Sequence, residues 1–473
     1  MWAWAAALAV GALFVGGCGG SGGRPEKAAR SALWVGSGAE LAYADFARLE
    51  PLGVGELFVE IGRLSFAGSR ASIQRLPTFS LPRRTGVTLV VSGEWPGEKI
   101  AADEAAESLA EELSRLGEEG RRRGLEPLGF HFDVTGATLP PSYAEALAAL
   151  RQKLDGPVYL SVSLDRRWLA DEGAPRLAKA VDFTVPFLYG QRSGEREAGG
   201  AWDLRRVEEN LRTIDRWGRP YLIGVVTLSR AFHLNRQGEV LAETTHFSLP
   251  ALVRNRTLEL AHGFSLDAID RQAYRFTANG PTKAGPFTLT KGQGVYLLGL
   301  SSYHVEEFLR VVGAVDLEHR LGEVYYRLAA ADERMSLSLT NLETALDPEP
   351  AAARPQLRLL GHGRQVSVEL INASAERSDV MLIGGNYVEL RVTGGSFGNV
   401  EPGDFYRWEL LREDRGKLVR AFRAASILRL QAPFLEGGET LKSGPIHITG
   451  GTVSATGSFV VPGGTVVEAV TVP

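Results

Sequence analysis

The stretch 128–165 constrains the fold more than any other part of this chain. Leu128-Gly129-Phe130-His131-Phe132-Asp133-Val134 alternates apolar residues with His131 and Asp133, so those two share one side of a strand. Thr135-Gly136 ends the strand, and Pro140-Pro141-Ser142 opens a helix with Tyr143, Leu147 and Leu150 at helical spacing. Gly156-Pro157 closes that helix, and 158–164 is the next strand, ending on Asp165. Two strands joined by a helix run parallel, because a hairpin does not hold a crossover of this length. Parallel α/β folds place their sites at the C-terminal strand ends, where acidic residues stand here.

The same alternation extends on both sides. Strands are expected at 56–61, 87–91, 128–134, 158–164, 181–189 and 221–228, and, after an irregular stretch, at 295–300 and 323–328. A long helix over 102–122 carries Leu109, Leu113 and Leu116 on one face. Eight strands alternating with helices predict a closed (β/α)8 TIM-like barrel over 31–347, with an insertion at 229–294. The other arrangement is an open doubly wound sheet. It usually carries a Gly-rich phosphate turn after its first strand, and Gly62-Arg63-Leu64 is not one. Inside the insertion, a hairpin is expected at 232–245, a helix at 250–262, and a second hairpin pairing 274–277 with 287–290. Proline and alanine dominate 348–356, which reads as a linker. Over 357–473 the apolar period becomes two, with Gly-rich turns between short strands, as in an all-β sandwich-like domain. A helix near 424–429 is the one exception expected there.

The N-terminus reads as a targeting segment. The apolar run 4–15 is short for a membrane span and has the length of a signal-peptide core. It ends in Val15-Gly16-Gly17-Cys18, which resembles the lipobox of bacterial lipoproteins, and Cys18 is the only cysteine in the chain. Disulfides are thereby excluded, and the single thiol stands where lipidation would use it. The expectation is a signal peptide over 1–18, a lipid on Cys18, a flexible tether over 19–30, and a place in the bacterial cell envelope at the outer membrane or periplasmic face. The membrane would be touched through the lipid anchor only. No Lys or Arg precedes the apolar run, which leaves an uncleaved anchor or an ordinary secretory signal open. The net charge of −4 gives no reason to expect nucleic acid as a partner.

Candidate site residues cluster at strand ends. Glu60, Glu94, Asp133 and Asp165 stand at or just past the ends of the first four expected strands, which ring one mouth in a barrel. Asp133 with Glu60 or Glu94 is the expected catalytic pair, since glycosidic bond cleavage needs two carboxylates. His131, Asp165, Trp95, Tyr189 and Arg63 are candidate binding residues, and Trp95, Tyr189, Trp202 and Tyr303 are aromatic rings suited to stacking on sugars. Against this stands a structural role, in which the acids pair with Arg63, Arg166 or Arg327 and close the barrel top. Two Gly-x-Ser-x-Gly matches, 19–23 and 394–398, lack the strand–turn–helix context of a nucleophile elbow. The eight histidines show no paired spacing, so no metal is expected, and no phosphate loop or other cofactor motif is present.

The segments 58–64, 130–133, 160–164 and 323–328 resemble a family of secreted bacterial proteins of unknown function with a glycoside-hydrolase-like barrel. The first strand discussed is more distantly similar to the Asp-Gly-x-Asp-x-Asp-x-Glu motif of chitinase-type glycoside hydrolases. On that pattern Gly129 and Asp133 match. Leu128 and His131 stand where acids would be, and Thr135 stands where the catalytic glutamate would be. The resemblance implies the barrel and a polysaccharide or glycan partner, and it argues against chitinase chemistry. Three functions stay open on the sequence: a glycoside hydrolase of the envelope, a non-catalytic glycan-binding lipoprotein, and a structural or assembly lipoprotein whose β domain docks a protein partner.

Overall fold

The computed structural model describes residues 31–471, apart from 77–85, 189–203, 261–272, 348–354, 379–385 and shorter stretches of one to five residues. Eight parallel strands close a barrel: β1 (Ser31–Val35), β2 (Val54–Ala67), β3 (Gly86–Glu94), β4 (Glu126–Thr135), β5 (Tyr159–Asp165), β6 (Phe183–Phe187), β7 (Tyr221–Val226) and β8 (Arg320–Leu328). Each pairs with the next, and β1 pairs with both β2 and β8, which closes the ring. The helices outside are α1 (Tyr43–Leu49), α2 (Ala102–Arg122), α3 (Pro141–Lys153), α4 (Ala174–Ala180), α5 (Leu204–Asp215), α6 (Ser302–Ala314) and α7 (Leu339–Leu346).

The expected number of strands stands, but the membership differs by one. Ser31–Val35 is a barrel strand, whereas Gly294–Leu298 belongs to the insertion. No helix follows β2 among the described residues. The strand instead runs beyond Gly62 and folds back as a hairpin with Arg70–Arg75. The hairpin is tied to α2 by the Ala71 N–H, which donates to Ser108 Oγ at 2.9 Å.

Two separate cores organise the barrel. Phe130, Phe132 and Val134 of β4 pack outward with Tyr143, Leu147 and Leu150 of α3 and Leu109 and Leu113 of α2. Full burial of each such side chain stabilises the fold by roughly 1.5–3 kcal/mol. The lumen is filled separately by Ala32, Trp34, Phe58, Val90, Phe183, Val185, Leu222 and Val324. At the N-terminal end of the barrel Ser31 Oγ donates to Glu323 at 2.8 Å, joining β1 to β8.

The insertion between β7 and α6 has its own core, built on Tyr274, Phe276, Phe287, Leu289, Val295 and Leu297. Its five strands are antiparallel, in the order Val240–Thr244, Arg230–Leu234, Gly294–Leu298, Ala273–Ala278, Leu258–Leu260. The first hairpin turns at Asn235–Glu239 as the sequence suggests. The others correct the sequence reading. Ala273–Ala278 pairs with Gly294–Leu298, and Phe287–Leu289 pairs with Thr282–Ala284. The helix there is short (Leu249–Arg254) and is followed by a strand.

Beyond residue 354, two six-stranded sheets share a core of Leu357, Val368 and Leu370 from one and Val388, Leu390, Leu428 and Leu430 from the other. The expected linker ends sooner than residue 356, because Pro355–Leu360 is already a strand paired with Gln365–Asn372. The segment near 424–429 is not helical. Ile427–Gln431 is a central strand, since Leu428 and Leu430 alternate with Arg429 and Gln431.

Candidate functional site

A cavity of about 680 Å³ opens at the C-terminal mouth of the barrel. Its wall comes from the ends of β4 (Asp133, Thr135), β5 (Ser163, Asp165), β6 (Phe187), β7 (Val226) and β8 (Tyr326, Arg327). The insertion hairpin supplies the opposite side through Arg230, Glu243 and Thr244. Sequence reasoning did not find that side, because nothing in a short polar hairpin says where it will dock.

Asp133 is half-buried, on the lumenal side of β4. Burial pushes its carboxyl up to about 6. The Ser163 hydroxyl opposes this, while the charges of Glu60 and Asp165 add to it. No ion pair to Asp133 occurs among the described residues. Beneath it lies a relay. His131 is fully buried, with Nδ1 at 2.9 Å from Ser161 Oγ and Nε2 at 2.9 Å from Ser163 Oγ. Burial pushes the His131 ring down to about 3, so it is neutral at physiological pH. When Asp133 is ionised, Ser163 donates to it, His131 Nε2–H donates to Ser163, and Ser161 donates to Nδ1. That assignment satisfies every polar atom of the relay with a single tautomer.

Arg166 also lines the wall, and five of its other charged residues are paired. Asp165 caps the short 3-10 turn Arg166–Trp168, accepting from the Arg167 N–H at 2.8 Å, and meets the Arg167 guanidinium at 2.6 and 2.9 Å. Arg230 pairs with Glu243. Arg327 makes a two-point contact with Glu333, at 2.6 and 3.1 Å. Burial would raise Glu333, but the Thr245 hydroxyl, the Ala330 N–H and Arg327 together hold it below the usual carboxylate range. Thr245 thereby ties the insertion hairpin to the loop after β8. Arg327 reaches this pair past Gly36, where a Cβ would meet its side chain at 2.8 Å.

Aromatic rings form the floor. Phe187 and Tyr326 meet edge to face at 5.2 Å, and Trp34 lies against Tyr326 at 4.9 Å. Gly224 makes the floor possible, since a Cβ there would lie 2.2 Å from the Phe187 ring. Burial and the charge on Asp133 both push the Tyr326 phenol up, so it stays protonated.

The other residues singled out in the sequence fall elsewhere. His131 has no exposed surface and packs edge-on against Trp34 and Phe58 at 5.2 and 5.1 Å, so it supports the site and cannot touch a ligand. Trp95 is also buried. Its indole donates to Ser142 Oγ at 3.1 Å and its ring lies between Phe66 and Tyr143, so it offers no face to a sugar. Glu60 is half-buried and accepts from Ser92 Oγ at 2.7 Å. Ser92 is the register partner of Asp133, which brings Glu60 near Asp133, although Glu60 is not among the residues that line the cavity. Glu94 is exposed as the last residue of β3, and Arg63 is exposed on the hairpin extension of β2; neither lines the cavity. The partner of Asp165 is Arg167, not Arg63, Arg166 or Arg327. Tyr189, Trp202 and Cys18 lie outside the described residues, as does the side chain of Tyr303. Thr135, aligned with the chitinase glutamate, is exposed and lines the cavity without a carboxylate to offer.

No family model and no curated protein matches the chain. Among solved structures, it is similar to a chitinase from Chromobacterium violaceum ATCC 12472, at 13% identity over 68% of this chain and 99% of that one, with a TM-score of 0.43. It is similar to the spore cortex-lytic enzyme SleL of Bacillus cereus, at 13% identity over 68% and 74% of the two chains, with a TM-score of 0.42. It is also similar to a GH18 chitinase from Cycas revoluta in complex with (GlcNAc)3, at 12% identity over 68% and 98%, with a TM-score of 0.40. These likenesses are ones of fold.

Proposed function

We propose that the barrel binds a polysaccharide across its C-terminal mouth and does not cleave it by a two-carboxylate route. One observation carries this reading: the cavity wall holds a single carboxylate without a cationic partner among the described residues, Asp133, and Thr135 stands beside it where a second acid would be required. The acid–arginine pairs Asp165–Arg167 and Glu243–Arg230 present donors and acceptors together at little net charge, which suits the vicinal hydroxyls of a glycan. Phe187 and Tyr326 supply apolar faces for a sugar ring.

We further propose that the protein acts at the bacterial cell envelope, with Cys18 carrying the lipid that anchors it. The lone cysteine after a short apolar run supports that part.

The test is a polysaccharide-binding screen of the purified protein, with release of reducing ends measured in parallel. Binding is expected, Tyr326→Ala should weaken it at least tenfold with the circular dichroism spectrum intact, and no reducing ends should form. Turnover in the wild type that disappears in Asp133→Asn would replace the binding reading with hydrolysis, with Glu60 or Asp165 as the second acid.

A further inference from the structure

We infer that the floor of the cleft takes an ammonium group, so that the glycan preferred by this site carries unacetylated amino sugars. The inference rests on the glycan-binding reading and narrows it to a substrate class.

Asp133 is the lining acid left without an ion pair among the described residues. Every other acid of the wall already meets a guanidinium: Asp165 meets Arg167, and Glu243 meets Arg230. Arg327, which lines the same cavity, is held by Glu333. Arg166, Arg167, Arg230 and Arg327 line the same cavity, but none is ion-paired to Asp133 among the described residues, and the groups acting directly on its carboxyl are neutral or acidic. From β5 come Ser163 and Asp165, from β2 Glu60, from β8 the Tyr326 phenol, from α3 the Tyr143 phenol, and from its own strand the neutral His131 below. Asp133 is therefore the one lining acid without an ion pair among the described residues, with the like charges of Glu60 and Asp165 beside it, in a cavity open to a ligand. A cation placed there relieves repulsion and satisfies the lone carboxylate at once.

The surroundings select the kind of cation. A metal ion needs several hard ligands, and among the described residues no group of three His, Cys, Asp or Glu converges to hold one. An ammonium group needs one carboxylate, a further acceptor and aromatic faces, and Asp133, the Ser163 hydroxyl, Phe187 and Tyr326 provide them. An acetylated amine presents a neutral amide to the same carboxylate and gains none of the ionic contribution. The paired wall above the floor still accommodates uncharged hydroxyls, so the requirement applies to the ring that reaches Asp133.

The experiment compares fully deacetylated and fully acetylated glucosamine oligomers of equal length by calorimetric titration of the purified full-length protein at pH 6.5 and low salt. The deacetylated oligomer is expected to bind about tenfold or more tightly, and Asp133→Asn should bring the two affinities together. In the wild type, the titration midpoint of the Asp133 carboxyl, followed by NMR, should fall by about one pH unit or more when glucosamine oligomer is added and should not fall with the acetylated one. Equal or weaker binding of the deacetylated oligomer overturns the inference and leaves glycan binding standing if other polysaccharides bind. If no polysaccharide of the screen binds, the glycan reading falls and this inference falls with it.

Discussion

Asp133→Asn is expected to stabilise the barrel above pH 6 and to leave it nearly unchanged at pH 4. The folded protein holds this carboxyl at about 6, whereas an unfolded chain leaves it at 3.8. Between those values the folded state binds more protons than the unfolded state. Wild-type stability is therefore highest below 3.8 and is lost as pH rises to about 6. The cost of the ionised group reaches about 3 kcal/mol at pH 7.5 and is about 0.5 kcal/mol at pH 4. Asparagine never carries that charge, and its amide oxygen still accepts from Ser163. A gain of this size raises the thermal midpoint by roughly 5 °C or more at pH 7.5. Thermal melts of both proteins at pH 4 and 7.5 measure it. An asparagine variant no more stable than the wild type at pH 7.5, or an offset of the same size at both pH values, would refute the claim that burial and like charge burden this group. A stabilising loss of a polar group is itself the signature of a site kept for function.

Three further outcomes are expected. Glu333→Ala should lower stability by about 3–5 kcal/mol in chemical denaturation, because it leaves Arg327 partly buried without its partner; a loss below about 1 kcal/mol would mean that the pair is not integral to the cleft. Radiolabelled palmitate should mark the wild type and not Cys18→Ser, and equal labelling of the variant would exclude the anchor. Limited proteolysis should cut within 348–354 before it cuts the barrel, giving two stable fragments, and a protected segment would mean that the two cores unfold as one body.

The parts of the fold read correctly from sequence are those in which local pattern and tertiary role coincide. β4 announces itself because His131 and Asp133 alternate with Phe130, Phe132 and Val134, and the two sets face different cores. β1 is only five residues long and its lumenal Trp34 looks like any apolar residue, so the strand that closes the ring was missed. Gly294–Leu298 has the same apolar run as a barrel strand. Only its partners, Ala273–Ala278 and Arg230–Leu234, show that it is antiparallel. At the site, Asp133 was legible as a strand-end acid on the lumenal side. Trp95 was misread because an aromatic after a strand end can turn under the helices as readily as into the mouth, and here the Ser142 hydroxyl holds it there. The wall formed by Arg230 and Glu243 has no local signal at all.

The closure of the ring by β1 and β8 has a consequence for how the protein is made. Ser31 and Glu323, bonded in the finished barrel, are 292 positions apart. Bringing ends so distant together costs about 5 kcal/mol of chain entropy. A ribosome releases β1 long before β8 exists, so a nascent chain carries one barrel edge with unmet backbone groups until residue 328 has emerged. The insertion, with its own core, completes before that moment and can fold ahead of the ring it will help to wall. Barrel closure thus waits for β8, after the insertion and before the two sheets beyond residue 354 have been made, and mutations that slow it expose the β1 edge to neighbouring chains.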